Sequence, residues 1–208
     1  MKKYLMIAAA ALAAVAFVSC NQDPEGNGGG STKVAPVCPA EDATNVCINE
    51  INGNLKGIEL YNPTDSPVNL EGWTIVKNNE FVSETILEPF WTGTAKDIIP
   101  AKGYIIVLSS KPSADLTAKE ILFAENKATG GLSAKKGLRL ELFDKANKSV
   151  DFFDRGFTTY QEAAMADWGI NSAARTTDGK AEFKVLSETY GASNAGGTVI
   201  GEMTVEPE

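Results

Sequence analysis

Ser133 and Lys136 stand three residues apart, the spacing at which a lysine can help deprotonate a nucleophilic serine in acyl transfer. That chemistry wants the serine at a helix start and two further motifs. Here Gly130-Gly131 precede it, Gly137 follows and a strand-like run comes next, so no catalytic residue is assigned. The carboxylates Glu50, Glu59, Asp65, Asp144, Asp151 and Asp154 are candidate oxygen ligands for a hard cation such as Ca²⁺. No D-x-D-x-D-G loop accompanies them, and Glu50 and Glu59 fall in predicted strands. Hydrogen bonding to backbone at a sheet edge, or simple solvation, is expected of that pair, and neither a metal nor another cofactor is assigned. Trp91, Tyr160 and Trp168 lie in less regular segments, where flat aromatic faces can stack on sugar rings. The alternative for such rings is to plug a core; Trp91 and Trp168 are the aromatic candidates for ligand contact.

Histidine is absent, which excludes Ser-His-Asp and Cys-His mechanisms and any imidazole metal site. Of the three cysteines, Cys20 follows the apolar leader directly, leaving Cys38 and Cys47. In an oxidising compartment an even pair suggests a disulfide closing a short loop, for which chain entropy gives on the order of 2–3 kcal/mol. The alternative is two reduced thiols, with Cys47 packed inward as a small hydrophobe.

Lys2 and Lys3 form a positive n-region, and residues 5–18 carry no polar side chain, as in the h-region of a secretory signal. At about 1.5 Å per residue the run is shorter than the roughly 20 residues a membrane span requires, so it suits an export channel better than a permanent anchor. Phe17-Val18-Ser19-Cys20 resembles the lipobox of bacterial lipoproteins, with phenylalanine where leucine is commoner. The resemblance implies cleavage before Cys20, acylation of that cysteine (diacylglycerol, palmitate-type chains) and attachment to a membrane. The alternative is ordinary signal cleavage leaving a thiol at Cys20. Residues 21–31, Asn-Gln-Asp-Pro-Glu-Gly-Asn-Gly-Gly-Gly-Ser, have no large apolar side chain to bury and read as a flexible tether. Acidic residues so near the lipidated cysteine are similar to signals that carry lipoproteins to the outer face of an outer membrane; an inner, periplasmic orientation is the alternative.

Removing the first 19 of 208 residues leaves 189, enough for one domain with a real core. The expected organisation is a signal peptide over 1–19, lipidated cysteine and tether over 20–33, a folded domain over 34–200 and an acidic tail over 201–208. Full-chain charge is −8; without Lys2 and Lys3, 17 basic residues face 27 acidic ones, near −10. Such a surface repels phosphate backbones and excludes nucleic acid as the expected partner.

From residue 46 onward, short β-branched and aromatic runs alternate with turn residues, predicting an all-β sandwich or barrel. Strands are expected over 46–51, 58–62, 72–76, 104–108, 138–142 and 149–153. The run at 104–108 is nearly all apolar, as for a strand buried on both faces. Leu138-Arg139-Leu140-Glu141-Leu142 alternates, predicting leucines inward and charges toward water. One helical turn is expected near 161–166.

Several blocks carry a resemblance. Ile48-Asn49-Glu50-Ile51, Ile58-Glu59-Leu60-Tyr61-Asn62-Pro63-Thr64 and Val68-Asn69-Leu70-Glu71-Gly72-Trp73 resemble the opening of the lamin-tail domain. Ile99-Pro100-Ala101-Lys102-Gly103-Tyr104 and Gly131-Leu132-Ser133 are similar to its middle, and Ser172-Ala173-Ala174-Arg175-Thr176-Thr177-Asp178-Gly179 to its closing signature. Tyr190-Gly191-Ala192-Ser193-Asn194 is like its terminal Pro-Gly-x-x-Asn, with tyrosine for proline. The ordered set spans residues 46–194. It implies an immunoglobulin-like β-sandwich of about seven to nine strands and a non-catalytic module that binds a protein or polysaccharide partner. A carbohydrate-binding lipoprotein using exposed rings at Trp91 or Trp168 is the alternative.

Overall fold

Turn residues and prolines divide the chain into short extended runs, and the computed structural model describes residues 38–77, 89–134, 138–154 and 168–203. The leader, Cys20, the tether, Lys136, Tyr160, the helical turn at 161–166 and the end of the acidic tail lie outside these residues. Twelve strands are formed among the described residues: β1 (Cys47–Asn52), β2 (Gly57–Tyr61), β3 (Val68–Asn69), β4 (Thr74–Lys77), β5 (Trp91–Thr92), β6 (Ile98–Ile99), β7 (Tyr104–Leu108), β8 (Arg139–Phe143), β9 (Ser149–Asp154), β10 (Ser172–Arg175), β11 (Phe183–Leu186) and β12 (Val199–Glu202). The count exceeds seven to nine because β3, β5 and β6 are two-residue pairings at corners of the fold. A five-residue helix, α1 (Ala114–Ala118), begins where the Ser113 side chain accepts from the Leu116 N–H; nothing in the apolar periodicity announces it. β12 starts before residue 201 and ends at Glu202, so the folded domain runs into the segment expected to be tail.

The strands make a six-stranded sheet, β12-β11-β10-β1-β2-β7, a four-stranded sheet, β5-β4-β8-β9, and the β3-β6 ribbon, with antiparallel pairing throughout. Ile48, Ile51, Ile58, Leu60, Ile105 and Val107 from the larger sheet meet Ile75, Leu140, Leu142 and Phe153 from the smaller in one buried cluster. That is the interior of an immunoglobulin-like sandwich. The alternation in β8 holds: Leu140 and Leu142 are fully buried, while Arg139 and Glu141 face outward as an ion pair at 3.2 Å. Trp73 and Leu70 enter the core behind the turn at Gly72.

β7 explains why its run is apolar throughout. Ile105 and Val107 face the sandwich interior; Ile106 and Leu108 join Leu116 and Tyr190 in a second cluster on the sheet's outer face. Its open edge is covered as well, because the Ile106 N–H donates to Leu122 O and the Ala124 N–H to Ile106 O, both at 2.9 Å. The larger sheet therefore carries a buried layer on each side.

Cys38 and Cys47 are both buried and no disulfide joins them, contrary to the expected bridge. Cys38 packs in the interior cluster, and its Sγ donates to Ala181 O at 3.2 Å. Ile48 belongs to the same cluster, so the pleat turns its neighbour Cys47 to the opposite face of β1. The two thiols thus occupy different layers, and burial pushes the Cys47 thiol up to about 12.

Candidate functional site

The outer face of the larger sheet would meet water in a simple sandwich; here a strap over residues 187–197 covers it. β1 and β2 pair with Glu50 opposite Glu59, both fully buried, and a bulge between Ile48 and Glu50 sets this register. These strands lie in the middle of the sheet, so the pair is neither at a sheet edge nor solvated, contrary to both roles expected from sequence. What satisfies their oxygens is the strap. Glu50 accepts at Oε1 from Ser172 Oγ (2.5 Å) and at both oxygens from the Thr189 N–H (3.2 Å each), while its Oε2 lies 2.6 Å from Thr189 Oγ1. Glu59 accepts from Asn49 Nδ2 at 2.9 Å and from the Gly191 N–H at 2.7 Å.

The turn between β10 and β11 supplies a third carboxylate. Asp178 Oδ1 accepts from Asn49 Nδ2 and the Asn194 N–H, each at 3.0 Å, and Oδ2 from the Tyr104 hydroxyl at 2.8 Å. Asn194, fully buried at the start of a 3-10 turn, donates through Nδ2 to Asn49 O (3.1 Å) and Arg175 O (2.8 Å). Tyr190 reaches under the strap to accept the Asn52 N–H at 3.1 Å. Gly191 holds φ +79°, and a Cβ there would meet Ile121 Cγ1 at 2.8 Å, so both the backbone turn and the close approach require glycine.

Burial raises Glu50 to about 7, opposed by the hydrogen bonds from Ser172 and Thr189. Burial, and then the adjacent Glu50, raises Glu59 well above its ordinary value. The Tyr190 phenol is raised first by burial and then by both glutamates; Tyr104 is raised by burial and its bond to Asp178. Beside the strap lies an open cavity of about 400 Å³ lined by Lys119, Ile121, Glu188, Tyr190, Gly191 and Ser193. Lys119 Nζ closes one side on both Glu188 oxygens at 2.9 Å.

The remaining sequence candidates are dispersed. Trp91 and Trp168 are buried to 2% and 5% exposure, so neither presents a stacking face; Trp91 sits opposite Ile75 in the sandwich and donates its Nε1–H to Asn126 O at 3.2 Å. Asp151 is buried against Arg175, Asp144 caps its own turn by accepting from the Ala146 and Lys148 N–H groups, and exposed Asp65 pairs with Lys102 at 3.1 Å. Among the described residues no group of three or more His, Cys, Asp or Glu could hold a metal. Ser133 lies outside any helix or strand, without the helix start an acylating serine wants. Sequence reasoning did not assign roles to Thr189, Asn194 or Arg175, although each falls inside or beside the closing blocks quoted above.

No curated protein matches this chain. Residues 39–156 match the family described as Lamin Tail Domain. That stretch runs from before β1 through β9, and β10 to β12 complete the sheet it begins. With more than half its length matched and an immunoglobulin-like sandwich as its fold, the chain belongs to the lamin tail domain family.

Proposed function

We propose that this chain is an exported lipoprotein, held on the outer membrane by lipid on Cys20, whose lamin-tail domain is a non-catalytic module that binds a protein partner. The observation that carries the module is the family match over residues 39–156, an immunoglobulin-like domain of the kind used for interaction. The placement of the polar side chains supports it. Glu50, Glu59, Asp178 and Asp151 spend their hydrogen bonds on groups of the fold itself rather than on a reacting group. The lipid anchor rests on the leader and the Phe17-Val18-Ser19-Cys20 block, and no helix among the described residues is long and apolar enough to cross a membrane. The tether gives the domain reach from that anchor.

The test takes the two halves separately. Cys20→Ser should move the protein from the membrane to the soluble fraction of fractionated cells; continued retention contradicts the anchor. A pull-down from intact cells with Cys20 retained should recover one protein in stoichiometric amount, lost again when the domain is unfolded by Asp151→Asn. Recovery of polysaccharide without protein would overturn the assignment of partner class.

A further inference from the structure

Thr189 Oγ1 has one proton and two neighbours that both look like acceptors: Glu50 Oε2 at 2.6 Å and Asn194 Oδ1 at 2.8 Å. The orientation of Asn194 is fixed, since its Nδ2 already donates to two carbonyls, Asn49 O and Arg175 O. Oδ1 therefore faces Thr189 as an acceptor and competes with Glu50 for its only proton. Both contacts are satisfied together only when the 2.6 Å contact carries a proton from the glutamate. At its other oxygen Glu50 receives Ser172 Oγ–H at 2.5 Å, as the carbonyl oxygen of a carboxylic acid does, while the Thr189 N–H is shared between both oxygens at 3.2 Å.

We propose that Glu50 holds a proton in the closed structure and that its loss to solvent loosens the strap over residues 187–197, making that strap a pH-responsive latch beside the cavity. The O–H bond of Glu50 breaks, the proton passes to water, and Glu50 Oε2 becomes a second acceptor against Thr189 Oγ1. The hydroxyl can then serve Glu50 or Asn194, but not both. The acidic neighbours disfavour the ionised state, opposed by the hydrogen bonds from Ser172 and Thr189. Glu59 from β2 stands opposite in the ladder, Asp178 approaches from the β10–β11 turn with Tyr104 from β7, and Glu188 and Tyr190 come from the strap, while Cys47 and Tyr61 lie further along β1 and β2. Lys119, which follows α1, is bonded to Glu188 and not to either buried acid. The groups hydrogen-bonded to Glu50 and Glu59 are all neutral: hydroxyls, backbone N–H groups and one amide. The raised value near 7 agrees with this geometry.

The experiment is an NMR titration of the full chain labelled with ¹³C and ¹⁵N. The Glu50 Cδ shift should be that of a carboxylic acid at about pH 5 and of a carboxylate above about pH 8. Over the same range the Thr189 and Gly191 amides should lose protection about tenfold beyond the intrinsic rise in exchange, with the β1–β2 ladder amides unaffected. Glu50→Gln reproduces the acid, since its amide donates to Thr189 and its carbonyl accepts from Ser172, and should keep the strap protected at every pH. A carboxylate at Glu50 at about pH 5 would sink the proposal. So would strap protection that ignores the titration, or Glu50→Gln showing the same loosening as the unaltered chain. Should that variant not fold, the Cδ titration of the unaltered chain decides alone.

Discussion

Arg175 Nη2 lies 3.0 and 2.9 Å from the two carboxylate oxygens of Asp151, joining β10 of the larger sheet to β9 of the smaller through a pair buried on both sides. The register of β1 explains the position of this pair. The β1–β10 ladder pairs Glu50 with Ala174 and Ile51 with Ala173, leaving the backbone groups of Ile48 beyond its reach. A buried N–H and C=O without partners are costly. Asp151 Oδ2 accepts the Ile48 N–H at 2.6 Å and Arg175 Nε donates to Ile48 O at 2.8 Å, so the ion pair completes the ladder with side chains. Arg175 Nη1 also donates to Lys180 O, and the guanidinium lies 4.8 Å from the Phe183 ring centroid.

Removing one partner of this pair strands the other. Asp151→Asn leaves a buried guanidinium without its counter-charge and should cost about 3–5 kcal/mol in denaturant unfolding. Arg175→Lys should also destabilise, because an ammonium cannot serve Ile48, Lys180 and Asp151 together. Lys96→Ala, at an exposed ion pair with Glu125, should leave the midpoint unchanged. A small effect of Asp151→Asn would mean the sheets are held by apolar packing alone.

How far the sequence reveals this domain depends on the range of the interaction. Strand positions, the inward leucines of β8 and the two-faced burial of β7 follow from local period, which needs only neighbours a few residues apart. The family blocks were legible as an ordered set for the same reason. The roles of Glu50 and Glu59 were not, since strand position alone places a glutamate at an edge or in water. Only a cover arriving about 130 residues later, with Thr189 and Gly191 as donors, makes them interior. The same holds for Trp91 and Trp168: an irregular local pattern suggests exposure, but the opposing sheet buries them. Cys38 and Cys47 read as a pair because they are the even pair left in an oxidising compartment, whereas Cys38 packs in the interior and the pleat turns Cys47 to the other face of β1.

Gly53 sits where the turn after β1 meets residues 133–134. A Cβ built on it would lie 2.3 Å from Ala134 N and 2.6 Å from Ser133 C, and both contacts are to backbone that cannot swing aside. Gly53→Ala should therefore destabilise by roughly 1–3 kcal/mol through overpacking. Gly131→Ala, whose Cβ meets nothing within 4 Å, should shift stability by no more than about 0.5 kcal/mol. Equal thermal midpoints for the two variants would mean that the 133–134 segment does not press on the turn.

The buried thiols give a chemical readout of the same layering. Cys47 is raised by burial to about 12, so its thiolate is scarce at neutral pH, and Cys38 is equally enclosed. In the Cys20→Ser chain neither should react with a thiol reagent while folded, and both should react once denatured without any reductant. A requirement for reductant before reaction would show that an oxidised pair exists after all.

The pH dependence of stability follows from Glu50 and Glu59. In the unfolded chain each has its ordinary value near 4.5, and in the fold burial raises both, Glu50 to about 7. A group whose folded value is raised binds protons more tightly when folded, so its stabilisation is complete below about 4.5 and is lost as pH climbs through the folded value. For Glu50 the span corresponds to on the order of 3 kcal/mol. Asp42 and Glu125 are shifted the other way, by Lys180 and Lys96, but sit in solvent where screening blunts the effect. The urea midpoint should thus be higher at about pH 5 than at about pH 8, and Glu50→Gln should flatten that slope while keeping the acid-side stability. A midpoint that rises with pH over this interval would require Glu50 to be ionised in the fold, with Thr189 pointing its proton at the glutamate and leaving Asn194 Oδ1 unserved.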